Sequence, residues 1–78
     1  MPKVLDIEGF RFFFFSDERQ EPPHVHVEKG DGAAKLWLQP VRIAYTYDLT
    51  RAEVRRIREL TFEHQADFVE RWNEYFGR

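Results

Sequence analysis

The sequence predicts an α+β fold, an antiparallel sheet of about four short strands with one long C-terminal helix packed on one face. Three observations predict it. Short runs with alternating apolar residues fill the first half, Gly30-Asp31-Gly32 marks a tight hairpin turn, and a helical stripe of apolar residues begins after position 50. Strands followed by one long helix sort into two layers, because each apolar face must be buried against the other.

Five runs qualify as strands, roughly 3–8, 10–16, 24–29, 33–38 and 41–47, the first being a short edge strand that ends at Gly9. In the second, Phe10, Phe12 and Phe14 line one face, while Phe13 and Phe15 follow Arg11 along the other. With both faces apolar, this strand is expected to be central and covered on both sides. The third and fourth runs meet at the Asp-Gly turn. If Asp31 and Gly32 are the turn residues, Glu28 faces Lys35 and His26 faces Trp37; if Gly30 and Asp31 are, the partners shift and the faces stay. In the fifth run Val41, Ile43, Tyr45 and Tyr47 are expected on one face.

The helix is expected over 51–76, with Gly77 as its stop and a break near 61–63 left open. Thr50 is an N-cap, Glu53 completes a capping box, and Leu49 staples onto Val54. At 100° per residue Val54, Ile57, Thr61, His64, Phe68, Trp72 and Tyr75 form the core stripe. Phe62, Val69 and Phe76 add an apolar strip beside it. Together with Phe13, Phe15 and Trp37 on the outer sheet face, this surplus predicts an interface with a second copy or a small partner protein, because large exposed apolar patches are disfavoured on monomers.

Seventy-eight residues make one domain with a small core, so burial must come from large side chains; eight Phe, two Trp and three Tyr supply it. Twelve basic against fourteen acidic residues leave a net charge of -2, which argues against non-specific binding along duplex nucleic acid. Without cysteine there is neither a disulfide framework nor a thiolate metal site, and without a long apolar run there is no predicted membrane segment or leader. A cytoplasmic setting is expected.

The chemistry concentrates in Glu21-Pro22-Pro23-His24-Val25-His26-Val27-Glu28. Strand alternation turns Val25 and Val27 one way and His24, His26 and Glu28 the other, so Glu21, His24, His26 and Glu28 form the candidate site. Two imidazoles on one face suit a divalent metal such as zinc, with a third ligand from Glu28, Asp17, Glu18 or His64. The plainer reading is that both histidines hydrogen-bond nearby acids and pin the Pro-Pro loop. His64, mid-stripe, is expected buried and satisfied by a carbonyl or by Tyr45 or Tyr47.

Arg51, Arg55, Arg56 and Arg58 occupy the first half of the helix, and Glu63, Asp67, Glu70 and Glu74 its second, against the usual dipole preference. Arg51, Arg55 and Arg58 are candidates for anion contact; the alternative is a solvated face offset by Arg55 with Glu59 and Asp67 with Arg71.

The segment EPPHVHV, the aromatic strand before it, Ala34-Lys35-Leu36-Trp37-Leu38 with Pro40-Val41 after it, and Trp72-Asn73-Glu74-Tyr75-Phe76-Gly77 resemble the small bacterial family called domain of unknown function 4160. The positions that carry over are Glu21, Pro22, Pro23, His24, His26 and Trp72. The resemblance implies no catalytic role. It implies a gene often placed beside that of a second small protein, hence a toxin-antitoxin-like or regulatory pair. The leading expectation is a small protein-interaction module. Its competitors are a metal-dependent hydrolase or nuclease built on the His-x-His pair and a regulator touching DNA through the arginines.

Overall fold

After β1 (Lys3–Ile7) the chain reverses because Glu8 and Gly9 both take positive φ, 56° and 82°, the combination a two-residue type I′ hairpin requires. Ile7 thereby pairs with Phe10, the first residue of β2 (Phe10–Phe13). The computed structural model describes residues 3–16 and 20–77. Beyond the connection, β3 (His24–Lys29) and β4 (Gly32–Leu38) form a hairpin around Gly30 and Asp31, with Gly30 at φ 57°. Of the two turns the sequence allowed, this is the one adopted. His26 therefore faces Lys35, and Glu28 faces Ala33. A turn through Gln39 and cis Pro40 leads into β5 (Val41–Tyr47).

Among the described residues the sheet holds five strands, in the order β1-β2-β3-β4-β5 and antiparallel throughout. The count of about four is thus corrected, because the first run pairs fully with β2 and sends Val4, Leu5 and Ile7 to the core. β2 is not central but second from one edge. Its core face buries Phe10, Phe12 and Phe14, whereas Phe13 is covered on the other side by neighbouring side chains rather than by a layer.

Register slips occur at both edge strands. In β1 the slip falls at Val4, between Lys3 and Leu5. In β5 the partners step from Leu36 with Ile43 to Lys35 with Tyr45, leaving Ala44 as the extra residue. The second slip overturns one expectation: Val41 and Ile43 pack toward the core, while Tyr45 and Tyr47 lie opposite Lys35 and Ala33 on the outer face. Neither tyrosine is placed to satisfy His64.

The long helix is two helices, α1 (Arg51–Glu63) and α2 (Gln65–Phe76), meeting at His64 (φ -107°, ψ 13°). The hydrogen-bond ladder runs through the junction, from His64 N–H to Leu60 O and from Phe68 N–H to His64 O. Two contacts flank the junction. Buried Thr61 Oγ1 donates to Ile57 O at 2.8 Å, a side-chain bond that bends helices, and the Gln65 amide donates to Leu38 O at 2.6 Å, tying the start of α2 to the sheet. The core stripe shifts accordingly. Ile57, Leu60, Thr61, Phe68 and Trp72 are buried, His64 is half-buried and stacked on Phe68, and Tyr75 is exposed.

The capping box is formed as expected: Glu53 N–H donates to Thr50 Oγ1 and Thr50 N–H to the Glu53 carboxylate. Such a cap contributes about 0.5–2 kcal/mol. A second tie is tertiary. The Arg56 guanidinium grips both oxygens of Glu8, at 2.8 and 2.6 Å, and so fastens the β1–β2 turn to α1. The Arg56 hydrogen bonds hold the Glu8 carboxyl below its ordinary value, and the Thr50 backbone N–H does the same for Glu53. A carboxyl lowered in the folded state adds stability above its unfolded value and loses it as pH falls through the folded one. Stability is therefore expected to be level at neutral pH and to drop in the acid range below the ordinary glutamate value. Glu8→Gln should flatten part of that drop while lowering neutral stability; urea midpoints measured across pH check both signs.

Candidate functional site

Period-two alternation in β3 puts Val25 and Val27 into the core, as expected, and His24, His26 and Glu28 on the opposite side. That side is not open water at the histidines. His24 is 0 % and His26 5 % exposed, which corrects the expectation of two surface imidazoles. His26 lies stacked on Phe13, its cross-strand partner, at 5.8 Å between ring centroids, with the Phe15 ring edge-on at 4.4 Å. The Phe-rich strand roofs the motif.

His24 begins β3, where the sheet ends. Its ring lies 5.1 Å from His26, 5.5 Å from Trp37 and 4.9 Å from Trp72 of α2, which also meets Phe14 edge-on at 5.3 Å. His24 Nδ1 donates to Pro22 O at 2.9 Å, and Leu38 N–H donates to Pro23 O at 3.0 Å. The Pro-Pro segment, which cannot donate backbone bonds itself, is thus held through its carbonyls. This is the pinning role weighed for His24, with a carbonyl as partner in addition to any acid. The Trp72 indole closes over the His24 imidazole.

Both candidate carboxylates are engaged by cations. Glu21 accepts from Lys35 Nζ at 2.6 Å, and that ammonium stands 4.6 Å from the centre of the Trp37 ring. Glu28 pairs with Arg11, whose guanidinium lies over Phe13. Both pairs are partly exposed, so each adds about 0–1 kcal/mol and chiefly orients its groups. Asp17 and Glu18, considered as third metal ligands, lie outside the described residues. His64 sits on the helical layer against Phe68, away from the pair. Among the described residues no three His, Cys, Asp or Glu side chains gather as a metal group requires.

Arg51, Arg55 and Arg58 do come together, lining a groove with Thr46, Leu49 and Val54 between β5 and α1. The expected Arg55–Glu59 pair is absent among the described residues, because Glu59 binds Arg56 instead, at 3.2 Å; Asp67–Arg71 is present at 3.0 Å. The exposed apolar surface at the six residues expected to form an interface is smaller than their number implies. Phe13 is buried, while Val69 and Phe76 are half-buried against the core, Phe76 lying 4.2 Å from Trp72. Phe15, Trp37 and Phe62 keep accessible surface, Phe62 most of all at 60 %. On the outer sheet face Tyr45 and Tyr47 are also exposed, at 49 % and 68 %. Sequence reasoning missed the two tyrosines and Lys35. The bulge at Ala44 has no signature in the alternation, although a tyrosine pair at a strand end is itself unusual for a core.

The architecture defines a small α+β domain in which a five-stranded antiparallel meander carries two helices on one face and a lattice of aromatic rings and ion pairs on the other. Within that class the chain belongs to the family described as domain of unknown function (DUF4160), whose model matches residues 9–73, the His24, His26 and Trp72 positions included. Neither curated proteins nor solved structures give a match. No helix among the described residues is long and apolar enough to cross a membrane.

Proposed function

We propose that the chain is a small protein-interaction module, one half of a gene pair of toxin-antitoxin-like or regulatory kind, and that its partner protein docks on the outer sheet face. One observation carries this reading: among the described residues that face has no helix over it and presents Phe15, Tyr45 and Tyr47 exposed beside half-buried Trp37. Tyrosine and tryptophan suit an interface because they bury large area at little entropic cost, and the Arg11–Glu28 and Lys35–Glu21 pairs supply a polar rim. The buried histidines serve the reading by holding the rings above them at fixed height. Co-expression with the product of the neighbouring gene, followed by light scattering of the purified material, tests it. A stable heteromer that is lost in a Tyr45→Arg, Tyr47→Arg double variant of unchanged circular dichroism is the expected result. A chain that stays monomeric and associates with nothing from that locus overturns it.

A further inference from the structure

Ten of the lysines and arginines fall among the described residues, and six of them have a carboxylate within 4 Å: Lys3, Arg11, Lys29, Lys35, Arg56 and Arg71. The other four are Arg42, Arg51, Arg55 and Arg58. All four belong to β5 or to the α1 flank beside it. Positions 51, 55 and 58 stack along one line of a helix, and position 62 continues that line, so exposed Phe62 stands at the end of the arginine row. Three of these arginines, with Thr46, Leu49 and Val54, enclose a groove of about 470 Å³. The strand forming its other wall is the last in the sheet, so β5 offers backbone N–H and C=O groups with no strand of the described residues beyond them.

From these observations we infer that the β5 edge receives an extended acidic segment of a protein partner, which pairs its main chain with β5 while alternate carboxylates face Arg51, Arg55 and Arg58. The inference rests on the reading of the chain as a protein-interaction module and names the chemistry of what it binds. An extended peptide meets both demands of the site at once. Its backbone satisfies the strand edge, and its period-two side chains put acids on the arginine side and apolar groups toward Tyr45 and Tyr47 on the other. A second copy fits poorly, since edge-to-edge pairing of two β5 strands brings two arginine rows together. A nucleic acid would use the arginines and leave the strand edge unpaired.

The test is a fluorescence-polarisation titration of the intact chain with a labelled peptide of alternating glutamate and valine long enough to span β5. Two further probes accompany it: the same peptide methylated at alternate backbone nitrogens, and a labelled thymidine oligonucleotide. Expected are saturable binding of the first peptide, at least about tenfold weaker binding by an Arg55→Glu, Arg58→Glu variant of unchanged circular dichroism, and a comparable loss on backbone methylation. Absence of peptide binding overturns the inference, as does binding indifferent to the charge reversal or to methylation. Binding of the oligonucleotide in preference to the peptide overturns it in favour of nucleic acid. Self-association abolished by the charge reversal overturns it in favour of a second copy. Failure of the sheet-face reading is read separately, from the neighbouring-gene heteromer and its Tyr45→Arg, Tyr47→Arg variant.

Discussion

Trp72→Ala is expected to remove about 3–5 kcal/mol of stability, the range for truncating a buried large aromatic side chain. A chain of this length has a total stability of roughly 4–12 kcal/mol, so the variant should lose about a quarter of it or more. The reason is position as much as size. The indole is 1 % exposed and touches Phe14, Phe76 and His24, so it joins the end of β2, the last turn of α2 and the start of β3. Removing it opens the core beside the Pro-Pro segment. Trp72→Phe should cost less, because the buried indole N–H has no hydrogen-bond partner among the described residues and its deletion offsets part of the lost volume. Urea unfolding followed by far-ultraviolet circular dichroism measures both. An Ala variant with the parent's midpoint would show that α2 does not seal the sheet end.

Gly32→Ala is expected to be the most damaging of the glycine substitutions, at about 1–3 kcal/mol or more. An added Cβ would sit 2.4 Å from Leu49 Cδ2 and 2.6 Å from the Asp48 carbonyl oxygen. The leucine can rotate, but the carbonyl belongs to backbone held between β5 and the Thr50 cap, with Asp48 itself at φ 56°. Relief therefore requires moving the junction that aims α1. Gly30→Ala supplies the control. Nothing lies within 4 Å of its Cβ, and only the left-handed φ of 57° opposes the substitution. Thermal midpoints should rank the parent above Gly30→Ala and Gly30→Ala above Gly32→Ala; the reverse order would mean that the β5–α1 junction yields without cost.

Gly32 illustrates what a sequence conceals. Its place beside a turn was legible from Asp31-Gly32, yet the requirement for glycine comes from Leu49 and Asp48, which reach it only through the fold. The alternation of Phe10, Phe12 and Phe14 and of Val25 and Val27 was legible because each local period has one buried face, and both runs are buried as their spacing implies. The Thr50–Glu53 cap was legible because all its partners lie within four residues. At the site, the motif marked the right place while its exposure was misjudged: an imidazole on the outer side of a strand reads as solvated until Phe13, Phe15, Trp37 and Trp72 are brought over it.

What the sequence determined by itself were the interactions short enough to be written locally: strand faces, the cap, the turn candidates and the family motif. The tertiary structure alone decided the bulge that turns Tyr45 and Tyr47 outward, the break at His64, the grip of Arg56 on Glu8 and the gathering of Arg51, Arg55 and Arg58 along β5. Each of these depends on which distant groups compete for the same space or the same charge, and that competition exists only once the chain has closed.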